Sequence, residues 1–247
     1  MRERQPAVNI SFDGVEYEGH LGESVLECAR RNGVTIPSLC FLEGLTVWGG
    51  CRICVVEVAE GHRLRPACAT QVTADMEIKI ETPRLRAYRK SVLELLFAEG
   101  NHVCAVCVSN GNCELQDMAV FCGMDHVRYD NQSPAREVDA SHPKYVFDPN
   151  RCILCTRCVR VCDEIEGAHV WDIRHRGQQA ELITEMNKPW GESLSCTWCG
   201  KCVAVCPTGS LAYQGRAIGE MEHDPVMIKR LAVARNRGEW LDPEGVS

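Results

Sequence analysis

CILCTRCVRVC, residues 152–162, is matched in spacing by CTWCGKCVAVCP, residues 196–207. Each stretch reads C-x2-C-x2-C-x3-C, and the second closes on Pro207. Three thiolates from one tight loop can cap three irons of a [4Fe–4S] cube. The fourth cysteine then points away and reaches a neighbouring cube. The spacing therefore predicts two cubes with crossed ligation. Cys152, Cys155, Cys158 and Cys206 surround one, and Cys162, Cys196, Cys199 and Cys202 surround the other. Zinc is the alternative, since it also takes four thiolates, but usually as two separated C-x2-C pairs. A doubled four-cysteine run with a terminal proline favours iron–sulfur cubes, which carry single electrons.

Around these loops the chain is punctuated by turns. Asp148-Pro149-Asn150 leads into the first loop. Between the loops, Ala168–Ile173 and Glu181–Thr184 read as a strand pair about Arg176-Gly177. Beyond them, Asp224-Pro225 opens a last helix that runs to about Arg237, with Gly238 after it. The basic end of that helix, Lys229 to Arg237, suits the helix dipole. It reads either as a solvated helix or as a docking element for a partner subunit.

Upstream, Thr82 and Pro83 read as N-cap and first residue of a helix ending before Gly100. Leu85, Tyr88, Val92, Leu95 and Leu96 form its apolar stripe. His102 follows, then Cys104, Cys107 and Cys113 at C-x2-C-x5-C. Three cysteines cannot complete a cube alone. His102 can supply the fourth ligand, and Cys122, nine positions after Cys113, is its competitor. The remaining histidines, His142 among them, have no such company and read as surface or packing residues. Asn131 to Pro143, with two X-Pro steps, reads as a linker.

The first third differs in kind. Val8–Phe12 alternates, Asp13-Gly14 turns, and Val15–Tyr17 returns, which predicts a β-hairpin. Ser24–Asn32 has helical spacing and stops at Gly33. Strands follow at Val55–Val58, Arg63–Pro66 and Met76–Ile80. The result is a mixed sheet with a helix across one face. Cys40, Cys51, Cys54 and Cys68 fall in its loops at C-x10-C-x2-C-x13-C. A close cysteine pair followed by a distant single cysteine is the pattern of plant-type [2Fe–2S] sites, here with a longer first gap. Gly49 and Gly50 let backbone N–H groups approach the sulfurs. Cys28, on the helix beside Leu26, reads as a packed core thiol.

Composition limits the alternatives. The chain has 247 residues, 17 cysteines and a formal net charge of −7. That charge argues against a nucleic-acid partner. No apolar stretch reaches the roughly 18 residues of a membrane span, and Met1–Ala7 lacks the apolar region of a secretory signal. A reducing, cytoplasmic compartment is the expectation, where clustered cysteines bind metal. Aromatic residues are only 6% of the chain, so metal–ligand bonds are expected to supply much of the folding free energy. There is no G-x-G-x-x-G, P-loop or flavin fingerprint, hence no hydride chemistry and no catalytic residue is assigned. The four ligand sets leave over only Cys28 and Cys122, too few for a nickel site.

Four stretches carry a resemblance: PSLCFLEGLTVWGGCRICVVEV (37–58), EGNHVCAVCVSNGNCELQD (99–117), FDPNRCILCTRCVRVCDEIEGAHVWDI (147–173) and CTWCGKCVAVCPTGSL (196–211). Together they resemble the small iron–sulfur subunit of the diaphorase module of NAD-linked, bidirectional [NiFe] hydrogenases. They are also similar to the N-terminal iron–sulfur region of the complex I large electron-transfer subunit, of [FeFe] hydrogenases and of the NAD-dependent formate dehydrogenase α subunit. His102 stands two residues before Cys104, closer than the four usual in complex I relatives, and this favours the hydrogenase branch. The end at Ser247 leaves no room for the catalytic domains of the longer relatives, which points the same way.

The resemblance implies an α+β chain with one [2Fe–2S] and three [4Fe–4S] clusters. A β-grasp [2Fe–2S] ferredoxin-like domain would cover 1–81, and a short helical domain holding the one-His, three-Cys cluster, with a linker, 82–147. A two-[4Fe–4S] bacterial-ferredoxin-like domain would cover 148–215, and a docking helix and tail 216–247. The implied partners are a flavin/NAD(H)-binding diaphorase subunit and the [NiFe] hydrogenase small and large subunits. An NAD-linked formate dehydrogenase or complex I-type assembly is the alternative setting, and a zinc-binding interaction module the alternative in kind.

Overall fold

A computed structural model of the chain describes residues 6–58, 63–216 and 225–239. These form two compact units. The first combines Met1–Phe41, Gly49–Glu94 and Met118–His126. The second combines Leu42–Trp48, Leu95–Asp117 and Val127–Ser247.

In the first unit, strands β1 (Ala7–Phe12) and β2 (Val15–His20) pair antiparallel from Ala7↔His20 to Phe12↔Val15. The two-residue turn works because both its residues take positive φ, Asp13 at 49° and Gly14 at 85°. Helix α1 (Val25–Arg31) begins in a capping box. Ser24 Oγ accepts from Glu27 N–H, and Glu27 accepts from Ser24 N–H at 2.9 Å. Gly33, at φ 73°, takes the left-handed conformation just past its end. Strands β3 (Val55–Val58), β4 (Arg63–Pro66) and β5 (Met76–Lys79) complete a sheet of order β2-β1-β5-β3-β4. Only β1 and β5 run parallel. Ile10, Phe12, Val56 and Ile78 pack with Val25, Leu26 and Ala29 of α1, each of the side chains larger than alanine contributing about 1.5–3 kcal/mol on full burial. Cys28 lies in this core, its thiol 3.8 Å from the Glu18 carbonyl and pushed up to about 11 by burial.

Helix α2 (Pro83–Ala98) starts as expected, with Thr82 Oγ1 accepting from Leu85 N–H at 3.2 Å. Its buried face differs from the expected stripe. Leu85, Arg89 and Leu93 are buried, whereas Leu95 is 45% exposed. A cation thus sits between Leu85 and Leu93, and the same helix also buries Glu94.

In the second unit, α3 (Glu114–Phe121) begins directly after Cys113, and its residues from Met118 onward belong to the first unit. Strand β6 (Tyr145–Phe147) pairs antiparallel with the later β9 (Leu211–Tyr213). Helix α4 (Arg157–Val161) continues into a π-helical turn, Cys162–Glu166. The hairpin of β7 (Trp171–Arg174) and β8 (Glu181–Thr184) follows, then α5 (Lys201–Ala204). Extended pairing starts at Trp171 rather than Ala168. The preceding residues are engaged elsewhere: Ala168 N–H bonds the Cys162 carbonyl, and Val170 N–H donates to Cys162 Sγ at 3.4 Å. Helix α6 (Pro225–Arg237) is present with Gly238 beyond it, and Asp224 lies outside the described residues. Ile228, Ala232 and Ala234 are buried. Gly44 has no room for a side chain, since a Cβ there would stand 2.6 Å from Ala232 Cβ. No helix among the described residues is long and apolar enough to cross a membrane.

Candidate metal centres

The four predicted ligands of the first unit come together as two pairs. Cys40 N–H donates to Cys51 Sγ at 3.4 Å, and the Cys40 and Cys51 thiols are hydrogen-bonded. Cys54 and Cys68 form the second pair, which holds Cys54 below and Cys68 above the usual thiol range. The hydrogen bond to Cys40, then burial, pushes Cys51 up. Two thiolates per iron is what a two-iron cluster asks of four cysteines. Arg52, at φ 60°, turns the loop between Cys51 and Cys54.

In the second unit, three cavities of similar size occur. One of about 350 Å³ is lined by Cys152, Cys155, Cys158 and Cys206. One of about 320 Å³ is lined by Cys162, Cys196, Cys199 and Cys202. One of about 310 Å³ is lined by His102, Cys104, Cys107 and Cys113, and Cys122 is not in its wall. Each predicted ligand set thus meets at its own cavity, including the crossed members Cys206 and Cys162. Among the described residues, no three His, Cys, Asp or Glu side chains close in to the spacing of a single ion.

The two cysteine loops share one backbone. Leu154 and Thr156 have φ of 51° and 60°, and the equivalent Trp198 and Gly200 have 62° and 72°. Repeated left-handed residues turn successive N–H groups inward, an arrangement that receives anionic groups. Leu154 N–H donates to Cys152 Sγ at 3.4 Å, and Ser109 N–H to Cys107 Sγ at 3.5 Å. Burial pushes Cys152 up to about 12 and Cys155 and Cys113 up to about 11, and holds Cys158 and Cys202 well up too. Such thiols ionise only against positive charge, so a metal bound here would displace their protons.

His102 has the features of a nitrogen ligand. Its Nε2 is buried with no hydrogen-bond partner, and its ring is bonded to the Leu96 backbone, hence through Nδ1. A ligating histidine ordinarily donates its other N–H to a carbonyl in this way. Burial lowers its pKa to about 4, so the imidazole is neutral at pH 7. Two glycines leave room for the site. A Cβ on Gly100 would lie 2.3 Å from His102 Nε2, and one on Gly209 would lie 2.9 Å from Cys107 Sγ.

Some residues that shape these centres are silent in the spacing. Thr208 lines both the His102 and the Cys152 cavities, donating to the Arg151 carbonyl at 2.9 Å. Arg157, 3% exposed, holds both carboxylate oxygens of Glu114, the residue after Cys113. Glu114 N–H donates to the Pro207 carbonyl at 2.9 Å, next to Cys206. His142 is a packing residue as expected, set among Tyr145, Trp190 and Trp198.

A mixed β-grasp sheet with paired loop cysteines, and a second unit with three ligand-lined cavities, define an iron–sulfur electron-transfer protein with both [2Fe–2S]- and [4Fe–4S]-type sites. Residues 5–83 match the 2Fe-2S iron-sulfur cluster binding domain. Residues 89–128 match the NADH-ubiquinone oxidoreductase-G iron-sulfur binding region, and 143–212 the ferredoxin-like domain of NADH-quinone oxidoreductase subunit 3. The chain is 32% identical over 239 residues to the gamma subunit of the NAD-reducing hydrogenase HoxS of Cupriavidus necator, covering 96% of this chain and 99% of that one. It is 33% identical over 248 residues to an NADH-quinone oxidoreductase subunit of Rhizobium meliloti, of which it spans only 28%. A chain in the crystal structure of an NAD+-reducing [NiFe]-hydrogenase in the H2-reduced state superposes with a TM-score of 0.80 at 34% identity, over 85% of this chain and 88% of that one. The chain belongs to this family of iron–sulfur subunits of NAD-linked hydrogenases and complex I.

Proposed function

We propose that this chain relays single electrons between a flavin subunit that reacts with NAD(H) and a [NiFe] hydrogenase small and large subunit pair. Hydrogen oxidation would then be coupled to NAD+ reduction, or the reverse. The observation that carries this reading is the coincidence of ligand sets and geometry: the sets expected from spacing are the side chains that pair in the first unit and ring the three cavities of the second. Cys40, Cys51, Cys54 and Cys68 would hold one [2Fe–2S] cluster. His102 with Cys104, Cys107 and Cys113 would hold a [4Fe–4S] cluster, and the two crossed cysteine sets one each. When bound, these groups supply one-electron redox chemistry and nothing else. The chain's part is to hold them, exclude water and set their potentials through sulfur hydrogen bonds, ligand type and burial. The chain divisions at 81, 147 and 215 belong to the same proposal, as does a cytoplasmic setting.

Within the second unit, the wall shared at Thr208 and the Glu114–Pro207 bond favour passage between the His102 site and the Cys152 site. The similarity over nearly the whole hydrogenase gamma chain, against about a quarter of the quinone oxidoreductase relative, favours the hydrogenase setting. The test is iron, sulfide and zinc content on anaerobically purified chain, EPR on stepwise reduction, and identification of the subunits that co-purify. About 14 irons with separable two-iron and four-iron signals are expected. Stoichiometric zinc with little iron would overturn the reading, and co-purification with a formate dehydrogenase or quinone-reducing assembly would move it to that setting.

A further inference from the structure

Arg89 of α2 is 2% exposed and lies on the buried face of an otherwise ordinary helix. Its donors go to three main-chain carbonyls. Nε donates to Ile53 at 3.3 Å, Nη2 to Val55 at 3.0 Å and Nη1 to Ile80 at 2.9 Å. Ile53 and Val55 are the two residues that flank Cys54. The carboxylate of Glu81 lies 3.5 Å from Nη1 but is itself 42% exposed, so it compensates the charge only in part. A guanidinium does not give up its proton in a protein, and burying one is costly. Packing alone would be served better by Leu or Met, which fill similar space without that cost. Burial pulls the Arg89 pKa down, while Glu81, Cys122 and Cys54 oppose it.

We propose that Arg89 is a positioning residue of the Cys40, Cys51, Cys54, Cys68 site that also sets its potential. It anchors the peptide carbonyls on both sides of Cys54, and its fixed positive charge favours the reduced state of the cluster. Reduction adds one electron, taking one Fe(III) to Fe(II), with no bond made or broken. The site becomes more negative by one charge, and a buried cation nearby stabilises that form more than the oxidised one. The inference rests on the ligand assignment proposed above.

The charge account makes a signed prediction that a purely structural role does not. Full-length chain, purified anaerobically, is titrated with dithionite and each centre is followed by EPR. Arg89→Met is expected to move the two-iron midpoint to lower potential and to leave the four-iron signals in place. Glu81→Gln removes the opposing carboxylate and is expected to move the same midpoint upward, by less. Arg89→Lys keeps the charge and should fall nearer the wild type than Arg89→Met. Unchanged midpoints, or shifts of the same sign in Arg89→Met and Glu81→Gln, overturn the proposal. If Arg89→Met does not retain the two-iron centre, Glu81→Gln decides alone, and an unmoved midpoint there overturns it. A wild-type chain with no two-iron signal overturns the ligand assignment, and this proposal with it.

Discussion

At the scale of single residues, His102 and the two glycines beside its site make the sharpest predictions. A neutral imidazole in place of a thiolate leaves a cluster less negative and therefore easier to reduce. His102→Cys should lower the midpoint potential of one four-iron signal in a redox titration, and an unmoved midpoint would contradict the ligand role. Gly209→Ala puts a methyl group 2.9 Å from Cys107 Sγ, where a sulfur fixed to iron has little freedom to give way. Iron content should fall by about four per chain, with the other signals retained. His102 was legible because it stands beside three spaced cysteines. Gly100, Gly209 and Thr208 were not, because what makes them matter is proximity in space to a sulfur, a ring nitrogen or a second cavity. Arg89 was hidden for another reason: a helical stripe is read from its apolar positions, and a buried cation breaks the pattern.

At the scale of elements, α4 with its π-helical turn, and α5 with the residue pair that follows it, each line two cavities and, on the proposed assignment, would serve two centres. Cys158 and Cys162 point to different cavities one helical turn apart, as do Cys202 and Cys206. Cys206→Ser should therefore abolish the signal of the centre held by the 152–158 loop and spare that of its own loop, as EPR of the variant would read. Loss of the reverse signal would refute crossed ligation. Helix α1 offers a simpler test. Ser24→Ala removes the hydroxyl that accepts from Glu27 N–H, leaves the residue-24 N–H bonded to the Glu27 carboxylate, and should cost about 1 kcal/mol, read from denaturant midpoints. Hairpin β1–β2, helix α1 and strands β3 and β4 were legible because turn residues and alternation are local signals. The parallel pairing of β1 with β5 and the late start of β7 were not. The first is a long-range pairing, and the second arises because Val170 N–H is committed to a cysteine sulfur.

At the scale of the whole molecule, the two units differ in what holds them. The first has an alternating sheet closed by α1 over Ile10, Phe12, Leu26 and Ile78. The second has a core of its own about Phe147, Trp171, Trp190 and Leu211, and it also gathers twelve proposed ligands around three cavities, where metal–ligand bonds would add to its cohesion. Iron removal by chelation under oxidation should collapse hydrogen-exchange protection in 95–117 and 127–216 while β1, β2 and α1 keep most of theirs. Uniform loss in both units would argue against this division. The length of the Cys40–Cys51 gap also finds its reason at this scale. Leu42 and Leu45 are core residues of the second unit, Thr46 N–H bonds Glu164 at 2.8 Å, and Arg160 holds the Thr46 carbonyl at 2.6 Å. The chain thus leaves one unit and returns within a single ligand loop, and it crosses again after residues 94, 117 and 126. Neither unit corresponds to an uninterrupted stretch of gene, so a recombination event, an early stop codon or a proteolytic nick cannot release one of them whole.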